Sequence, residues 1–426
     1  MKKILHLILK KLAKKIMRRF RPFVIGITGS VGKTSTKEAI YTILKKHFQV
    51  RKNEKNYNNE IGVPLTIIGA ESGGHSIIKW FKVIAKALKL IYGRSVDFSD
   101  MLILEMGADK KGDIEYLLSF APCDIGVLTA VSPVHLEQFG TLDNVYFEKS
   151  KVINKLTNAH VAVINGDDPK IKDLKNQTKA KVYTCGFQPN NDLQAMDVKV
   201  TSRDNTIGTG FKIKFKGNII PVFLPNILGK PQVFSCLIAL AVADAMNVEF
   251  LEAIDDLSAY QAPKGRTNLI SGIKDTRLID DSYNSSPESA KAALELLKEM
   301  PISEGNKKIA VLGEMLELGS YTEAGHAEVG KKAAEVGVDL LVTVGERTRD
   351  IIRGALKYGL PEEQTSYFTN NHDAGIFVQN RIHSGDIVLI KGSQGARMEQ
   401  ITKEIMAEPD KAEGLLVRQG EEWQTK

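Results

Sequence analysis

The sequence contains few cysteines and no long apolar run, and both absences narrow the class of protein. Its 426 residues include three cysteines, Cys123, Cys185 and Cys236, which are far apart and never form a CxxC pair. This spacing argues against a zinc ribbon and a secreted disulfide framework, and it favours a reducing cytoplasm. No apolar run reaches the length of a membrane span, and the N-terminus lacks the features of a signal peptide.

Acidic residues are absent from the first 22 positions, which hold nine of the 58 Lys and Arg residues. The formal net charge of the chain is +7, yet the other positions carry 49 basic residues against 51 acidic ones. The body is therefore close to neutral, so we expect no nucleic-acid partner. The hydrophobic content of 43% and charged content of 26% are typical of a soluble protein, and the length allows two or three domains.

Two segments, residues 1–20 and 76–92, have the pattern of basic amphipathic helices. In each segment apolar residues recur at helical spacing and most lysines and arginines fall on the opposite side. Such a helix can lie in the headgroup region of an anionic membrane. It can equally pack on its own domain, and the two segments can pack on each other, so both interpretations remain open.

After Pro22, short apolar runs alternate with helical patterns, which predicts an α/β protein with mostly parallel sheets covered by helices. Residues 182–224 contain short alternating stretches and predict a small antiparallel addition. The segment 260–265 reads as a linker into a second α/β domain, and the polar tail from Glu408 is expected to fray. The predicted strands are 23–28, 101–104, 125–129, 161–165, 277–279, 308–312, 340–344 and 387–390, and the predicted helices include 37–47, 286–300, 326–336 and 396–406.

A phosphate-binding loop is the strongest local motif. An apolar strand runs into the loop and a helix follows, in the order Thr28-Gly29-Ser30-Val31-Gly32-Lys33-Thr34-Ser35. Glycines let the backbone N–H groups and the helix N-terminus face phosphate oxygens. Lys33 can neutralise phosphate charge, and the Thr34 hydroxyl can ligate Mg²⁺. The spacing is shorter than the common GxxxxGK[ST] pattern, because Ile27 stands where its first glycine would be.

An acidic residue ends the predicted strand 101–104. Glu105 therefore lies at the carboxyl end of a parallel strand, where α/β sheets bind ligands. Its carboxylate could reach the same Mg²⁺ as Thr34, although an ordinary acid at a strand end is the alternative.

A series of further motifs follows in order along the chain. With the phosphate loop they resemble the Mur ligases, the ATP-dependent amide-forming enzymes of peptidoglycan precursor synthesis, and the MurF branch in particular. The segments Asp280-Asp281-Ser282-Tyr283-Asn284 and 311–319 are the most particular to that branch. The resemblance runs from Val24 to about Ile405, and its other segments are 56–64, 105–108, His135 with 139–140, 148–151, 165–169, 263–266, His326 and 391–393.

The resemblance implies a two-step ligation that needs ATP and Mg²⁺. ATP phosphorylates a carboxylate, and an amine then attacks the acyl phosphate, so the site must hold several anionic groups together. His135 is implied as a ligand of a second Mg²⁺. Lys149 is implied as a lysine carried as a carbamate that helps to hold the metal, with Lys151 as the neighbouring alternative. The resemblance also places Asn56, Asn58 and Asn59 in a loop facing the γ-phosphate and the substrate.

Three domains are expected. Residues 1–22 form a basic amphipathic helix that precedes the resemblance, and the resemblance implies 23–263 as a phosphate-loop central domain, here with the insertion 76–92, and 264–426 as a Rossmann-like C-terminal domain. The last domain would close over ATP, with contacts from Arg266, Asp280 or Asp281, and Asn284. Lys391 and Ser393 are expected near the incoming dipeptide or the phosphates. Gln232 lies near the expected adenine site, where the family usually has His-Asn in place of Pro231-Gln232.

The N-terminus departs from the family. Mur ligases usually have an N-terminal domain for the uridine diphosphate group, whereas about twenty residues precede the phosphate-loop strand here. We therefore hypothesise that membrane docking or a lipid-linked acceptor replaces that domain, on a monomer that is cytoplasmic or peripheral at the inner face of the plasma membrane. The predicted activity is addition of D-alanyl-D-alanine to a muramoyl stem peptide. The alternatives are another amide ligase of the superfamily and a membrane-tethered ATP-binding scaffold without ligase activity.

Overall fold

The computed structural model describes residues 2–54, 57–132, 136–204, 206–420 and 423, with the side chains of residues 2, 3, 136 and 137 left out. The chain divides into two compact units. The first unit comprises residues 1–197, 211–222 and 231–260, and the second comprises residues 198–210, 223–230 and 261–426.

The first sheet has nine strands in the order β2-β3-β1-β4-β5-β6-β7-β8-β9. The strands from β2 to β7 pair in parallel, and a two-residue turn at Lys216-Gly217, with positive φ at both residues, joins β8 to β9 as a hairpin. This arrangement confirms the predicted parallel sheet with an antiparallel addition. The strands are β1 Phe23–Thr28, β2 Val50–Lys52, β3 Met101–Glu105, β4 Ile125–Leu128, β5 Val161–Asn165, β6 Lys181–Gly186, β7 Leu193–Arg203, β8 Thr206–Phe215 and β9 Asn218–Pro225.

Eleven helices in the described part of the chain accompany this sheet. Strands β1, β3 and β4 are apolar on both faces because helices cover both sides of a parallel sheet. The helices are α1 Lys2–Phe20, α2 Lys33–Leu44, α3 Gly62–Ile68, α4 Ile77–Tyr92, α5 Asp113–Leu118, α6 Leu136–Phe139, α7 Leu142–Asn154, α8 Pro169–Lys172, α9 Leu174–Gln177, α10 Gly229–Ala245 and α11 Phe250–Asp256.

The second sheet lies within the second unit and has the order β10-β11-β15-β12-β13-β14. Only the edge pair β10–β11 is antiparallel, as expected for a Rossmann-like domain with one irregular edge. Its strands are β10 Asn268–Ser271, β11 Arg277–Asp281, β12 Lys308–Gly313, β13 Leu340–Val344, β14 Thr365–Phe368 and β15 Ile387–Lys391. Its helices are α12 Pro287–Glu299, α13 Thr322–Val336, α14 Arg349–Lys357, α15 Asn371–Arg381, α16 Glu399–Ile405 and α17 Ala412–Leu415.

The expectation that the tail frays from Glu408 is wrong. Residues 412–415 form helix α17, and Ala412 and Leu416 are buried in the same apolar cluster as strand β15. The tail has few apolar residues, and two of them, Ala412 and Leu416, are enough to pack it against the second unit's apolar core. In the part of the chain that the structure describes, no helix is long and apolar enough to cross a membrane.

Candidate active site

The phosphate loop joins β1 to α2 through two glycines with positive φ. Gly32 has φ 84° immediately before α2, and Gly29 has φ 151°. A Cβ on Gly29 would lie 2.0 Å from Thr129 Oγ1, so only glycine fits there. Thr129 in turn donates to the carbonyl of Val31 at 2.6 Å, and the amide of Ser30 donates to the carbonyl of Ala130 at 2.7 Å. The loop is therefore held open against the segment after β4, with the N-terminus of α2 facing the pocket.

Glu105 is the centre of a polar cluster at the end of β3. The Thr34 hydroxyl donates to Glu105 Oε2 at 3.0 Å, and Asn58 Nδ2 donates to Oε1 at 3.0 Å. The Asn53 side chain accepts from the Glu105 amide at 2.5 Å. Because Glu105 is only 4% exposed, this network fixes the direction of its carboxylate. The structure therefore places Thr34, at the start of α2, in contact with Glu105, at the end of β3.

Two lysines face the same pocket. Lys33 Nζ donates to the carbonyl of Gly29 at 2.8 Å, and Lys149 comes from helix α7 with a side chain that is 2% exposed. Burial and then the positive charge of Lys33 lower the pKa of Lys149 to about 7. Lys149 therefore has an accessible neutral amine near neutral pH.

Lys151, the alternative carbamate position, has different surroundings. Its Nζ lies 2.8 Å from Glu148 Oε2 and 3.3 Å from Glu115 Oε2. Partial burial opposes the charge, but hydrogen bonding and attraction to Glu148 and Glu115 outweigh it and raise the pKa of Lys151. Lys151 therefore stays protonated, which favours Lys149 of the two.

The pocket also contains side chains that the motif analysis did not identify. Glu60 precedes α3, Asp109 and Asp113 lie around the start of α5, and Tyr116 comes from α5 itself. Glu60 lies within the segment 56–64 and Asp109 directly follows the segment 105–108, whereas Asp113 and Tyr116 had no sequence signal. The lining residues are Ser30, Lys33, Asn58, Asn59, Glu60, Gly107, Ala108, Asp109, Asp113, Tyr116, Leu117 and Lys149.

Several predicted contact residues have structural partners of their own. The Asn59 carboxamide accepts from the amides of Ile61 and Gly62, which starts helix α3. Thr28 donates to the carbonyl of Met106 at 2.8 Å. Gln232 is 3% exposed and accepts from the Tyr260 hydroxyl at 2.8 Å, and the same hydroxyl lies 3.3 Å from the carbonyl of Ser35.

The donor set suits Mg²⁺ better than a soft metal. Thr34 and Glu105 supply oxygen ligands, which Mg²⁺ prefers together with phosphate oxygens and water. Among the described residues no group of three His, Cys, Asp or Glu side chains could hold a metal by itself. Two predicted residues, Asn56 and His135, lie outside the described residues.

Within the second unit, the motif 280–284 is anchored by Lys391. Its Nζ donates to Asp281 Oδ2 at 2.6 Å and to the carbonyl of Asn284 at 3.0 Å, and it is 2% exposed. Asp281 also accepts from the Thr267 amide, next to Arg266, whose guanidinium stacks 4.2 Å from the Tyr283 ring centroid. Asn284 is exposed. Lys391 thus positions this motif. Asn284 of the motif and the neighbouring Arg266 are more accessible than Lys391.

The two aspartates of this motif differ. Asp280 is fully buried and accepts from the Thr402 hydroxyl at 3.1 Å. Burial raises the pKa of Asp280 to about 6. Asp281 is 8% exposed and is therefore the better candidate of the two for a ligand contact.

Ser393 and His326 hold the second characteristic segment, 311–319. The Leu316 amide donates to Ser393 Oγ at 2.8 Å, and the Met315 amide donates to His326 Nε2 at 3.0 Å. His326 is completely buried, and burial lowers its pKa. Its neutral ring therefore accepts the Met315 bond and donates to the carbonyl of Thr322 at 2.7 Å.

Arg418, in the tail expected to fray, is a support that sequence reasoning missed. Its Nη2 donates to the carbonyl of Ser282 at 2.6 Å and to Glu399 Oε2 at 2.8 Å, and its Nη1 donates to the carbonyl of Tyr283 at 3.2 Å. Arg418 is 5% exposed and Glu399 is fully buried. The tail therefore supports the motif 280–284 through hydrogen bonds from Arg418 to two of its backbone carbonyls.

We expect Arg418→Ala to lower the free energy of unfolding by about 3 kcal/mol, because it leaves a buried carboxylate with one cation fewer. Urea denaturation measures the change. Arg353→Ala is the matched control, since Arg353 is itself 60% exposed and its two ion pairs should together contribute less than about 1 kcal/mol. Equal effects of the two substitutions would contradict the supporting role of the tail.

Family comparisons cover most of the chain. The family model "Mur ligase middle domain" matches residues 27–78 and 87–243, and "Mur ligase, glutamate ligase domain" matches residues 265–394. Residues 1–26 and 79–86 lie outside both matches, and these contain all of α1 and the middle of α4.

Two curated relatives carry the same description, UDP-N-acetylmuramoyl-tripeptide–D-alanyl-D-alanine ligase. The protein from Bacillus subtilis is 32% identical over 402 residues, covering 94% of this chain and 79% of the relative. The protein from Escherichia coli is 28% identical over 388 residues, covering 89% of this chain and 76% of the relative. A crystal structure of MurF ligase from Thermotoga maritima in complex with ADP has a TM-score of 0.77 at 27% identity, covering 95% of this chain and 84% of that chain.

Proposed function

The chain belongs to the Mur ligase family, and we propose that it joins D-alanyl-D-alanine to a muramoyl stem peptide through an acyl phosphate. It is an ATP-dependent ligase. The observation that carries the substrate proposal is that Lys33 and Lys149 line one pocket with Asn58, which bonds to the Thr34–Glu105 pair, in a chain similar to relatives with that activity.

In the proposed reaction the phosphate loop holds the β- and γ-phosphates of ATP. The N–H groups at the N-terminus of α2 would face the phosphates, and Lys33 would exchange its loop carbonyl partners for phosphate oxygens. The stem-peptide carboxylate attacks the γ-phosphorus, and the bond from that phosphorus to ADP breaks. The dipeptide amine then attacks the acyl carbon, phosphate leaves, and one proton is released from the amine.

Mg²⁺ would be held by the Thr34 hydroxyl and Glu105, with Lys149 as a carbamate and His135 at a second ion. When bound, Mg²⁺ would neutralise charge that develops on the transferred phosphoryl group. Asn58 keeps the Glu105 carboxylate directed at the Thr34 hydroxyl, and Asn53 fixes the backbone at the strand end. Asn56, Asn58 and Asn59 are proposed around the substrate carboxylate.

The second unit would supply further nucleotide contacts. Arg266, Asp281 and Asn284 are proposed to meet ATP, with Asp280 and Lys391 acting as buried supports of the same motif. Ser393 is proposed beside the incoming dipeptide, and Gln232 beside the adenine. We propose that residues 1–22, 23–263 and 264–426 are the functional domains.

The proposed location is the inner face of the plasma membrane, with the enzyme monomeric and peripheral. The described parts of α1 and α4 support this location because they carry exposed lysines and arginines and no acidic side chain.

Measurement of phosphate release from ATP tests the substrate proposal. We expect release to depend on both UDP-linked or lipid-linked muramoyl tripeptide and D-alanyl-D-alanine, with the ligated pentapeptide as the product. Release stimulated by a different acceptor would favour another ligase of the superfamily. ATP binding without acceptor-dependent release would favour a scaffold, and either result would overturn the proposal.

A further inference from the structure

Helices α1 and α4 pack side by side on the first unit, and this fixes which of their faces stays outside. Leu9, Ala13 and Ile16 of α1 are completely buried, as is Ala87 of α4. Arg19 joins the two helices by donating to the carbonyls of Ile91 and Gly93 at 2.6 and 2.5 Å. Internal packing therefore buries part of the apolar stripe of α1, whereas the buried residues of α4 are Val83, Ala87 and Leu90.

A different set of apolar side chains faces outwards from the same two helices. Ile77, Ile78 and Phe81 at the start of α4 are 72%, 71% and 67% exposed, and Ile4 and Leu7 at the start of α1 are 63% and 56% exposed. Leu88 and Tyr92 continue the exposed set along α4. Single exposed apolar side chains are common, but a cluster of them on two adjacent helices indicates a surface that binds a partner or a membrane.

The charges around these side chains have one sign. Lys11, Lys14 and Arg18 of α1 and Lys79, Lys82 and Lys89 of α4 are exposed. No aspartate or glutamate occurs among residues 1–37 or 72–96. Apolar side chains with a basic surround fit an anionic lipid surface, in which the apolar groups enter the headgroup boundary and the lysines meet phosphates.

Two other residues of α1, Lys10 and His6, contact side chains that line the catalytic pocket. Lys10 Nζ lies 4.2 Å from the ring centroid of Tyr116, and His6 Nδ1 lies 3.8 Å from Glu60 Oε1. Tyr116 and Glu60 line the same pocket as Lys149. The Tyr116 hydroxyl is buried and has no hydrogen-bond partner among the described residues.

We propose that α1 and α4 dock the enzyme on an anionic membrane and that its acceptor is a muramoyl peptide carried by a membrane lipid. The inference rests on the proposed ligase function and names the class of acceptor for that pocket. The stem peptide enters past Lys10 and His6 while its lipid remains in the bilayer. Lys10 faces the anionic part of the acceptor, and the Tyr116 hydroxyl is available to bond with it.

Co-sedimentation of the full chain with phospholipid vesicles tests the docking surface. The chain should bind phosphatidylglycerol-containing vesicles at least about tenfold more strongly than pure phosphatidylcholine vesicles. The double variants Ile78→Ser/Phe81→Ser and Lys79→Glu/Lys82→Glu should each weaken that binding about tenfold or more. Matched controls are Ile219→Ser/Leu251→Ser and Lys175→Glu/Lys179→Glu, which change exposed side chains elsewhere and should bind like the unmodified chain.

Phosphate release with two acceptors tests the acceptor class. The unmodified chain should turn over a vesicle-borne muramoyl tripeptide faster than the UDP-linked one, and Ile78→Ser/Phe81→Ser should lose that advantage while keeping its rate with the soluble acceptor. Equal binding to neutral vesicles, or binding unaffected by both double variants, would overturn the docking proposal. Self-association that disappears in Ile78→Ser/Phe81→Ser would instead identify a second copy as the occupant. Failure of both acceptors to stimulate release overturns the ligase function itself, whatever the vesicles show.

Discussion

Lys149→Ala is expected to reduce the rate of ligation by about 10²–10³-fold, the usual cost of removing one preorganised electrostatic group from an active site. Lys149 is buried in the pocket, and its pKa of about 7 leaves a large fraction of neutral amine at neutral pH. That amine can attack CO₂, forming an N–C bond and releasing one proton, and the resulting carbamate is an anion able to hold Mg²⁺. Steady-state phosphate release with and without added bicarbonate measures the effect.

The matched control for this prediction is Lys151→Ala on the same helix. Lys151 is paired with Glu148 and Glu115 outside the pocket lining, so its removal should leave turnover within about threefold. Acetate or formate should partly restore Lys149→Ala, because a small carboxylate can occupy the space of the carbamate, and should not accelerate Lys151→Ala. Full activity in Lys149→Ala together with loss in Lys151→Ala would move the carbamate to Lys151.

The same lysine also affects stability, in a direction that the pKa fixes. Its native pKa of about 7 lies below the usual 10.5, so the unfolded chain binds more protons between these values and stability rises with pH across that interval. The loss of stability caused by burying the charged Lys149 amine is fully present below pH 7. It amounts to several kcal/mol, since one pKa unit corresponds to about 1.4 kcal/mol. Lys149→Met should therefore be more stable than the unmodified chain below pH 7 in urea denaturation, which separates lost activity from lost folding.

The sequence was sufficient for those parts of the fold and site that local patterns control. Strand β1, the loop 29–34 and helix α2 follow one another without interruption, so a strand, two glycines with positive φ and a helix start could be recognised together. Glu105 could be placed near Thr34 because the carboxyl ends of neighbouring parallel strands meet at one edge of the sheet.

The remaining parts depend on contacts between distant residues. Asp113 and Tyr116 of α5 line the pocket beside Lys149 of α7, and no motif or spacing in the sequence marks them. Arg418 lies 136 positions from Ser282, whose carbonyl it binds. No local pattern reveals a contact over this distance, so the polar composition of the tail led to the prediction that it frays. In α1, helical spacing predicted an amphipathic helix but not which residues would be buried: Ile8 is 37% exposed, whereas Ala13 is completely buried.

Lys33→Ala is expected to lower turnover by about 10²–10³-fold and to weaken ATP binding, because Lys33 is the cation placed on the phosphate loop. Its ammonium group already lies at the loop, 2.8 Å from the carbonyl of Gly29, so little movement is needed to reach a phosphate oxygen. Phosphate release measures turnover, and calorimetric titration with a non-hydrolysable ATP analogue measures affinity. Lys45→Ala, an exposed lysine directly after the same helix, should leave both quantities unchanged.

Lys33→Ala should also act on Lys149, which distinguishes it from a simple loss of ATP affinity. The positive charge of Lys33 is one of the causes that lower the pKa of Lys149, so its removal should raise that pKa and reduce the neutral amine available to CO₂. The carbamate signal of Lys149, observed by ¹³C NMR with labelled bicarbonate, should therefore weaken at pH 7 in Lys33→Ala and recover at higher pH. Unchanged turnover would show that Lys33 does not act on the phosphates. An unchanged carbamate signal would show that the charge of Lys33 does not affect the pKa of Lys149. A weakened signal with normal ATP affinity would leave Lys33 a role only through Lys149.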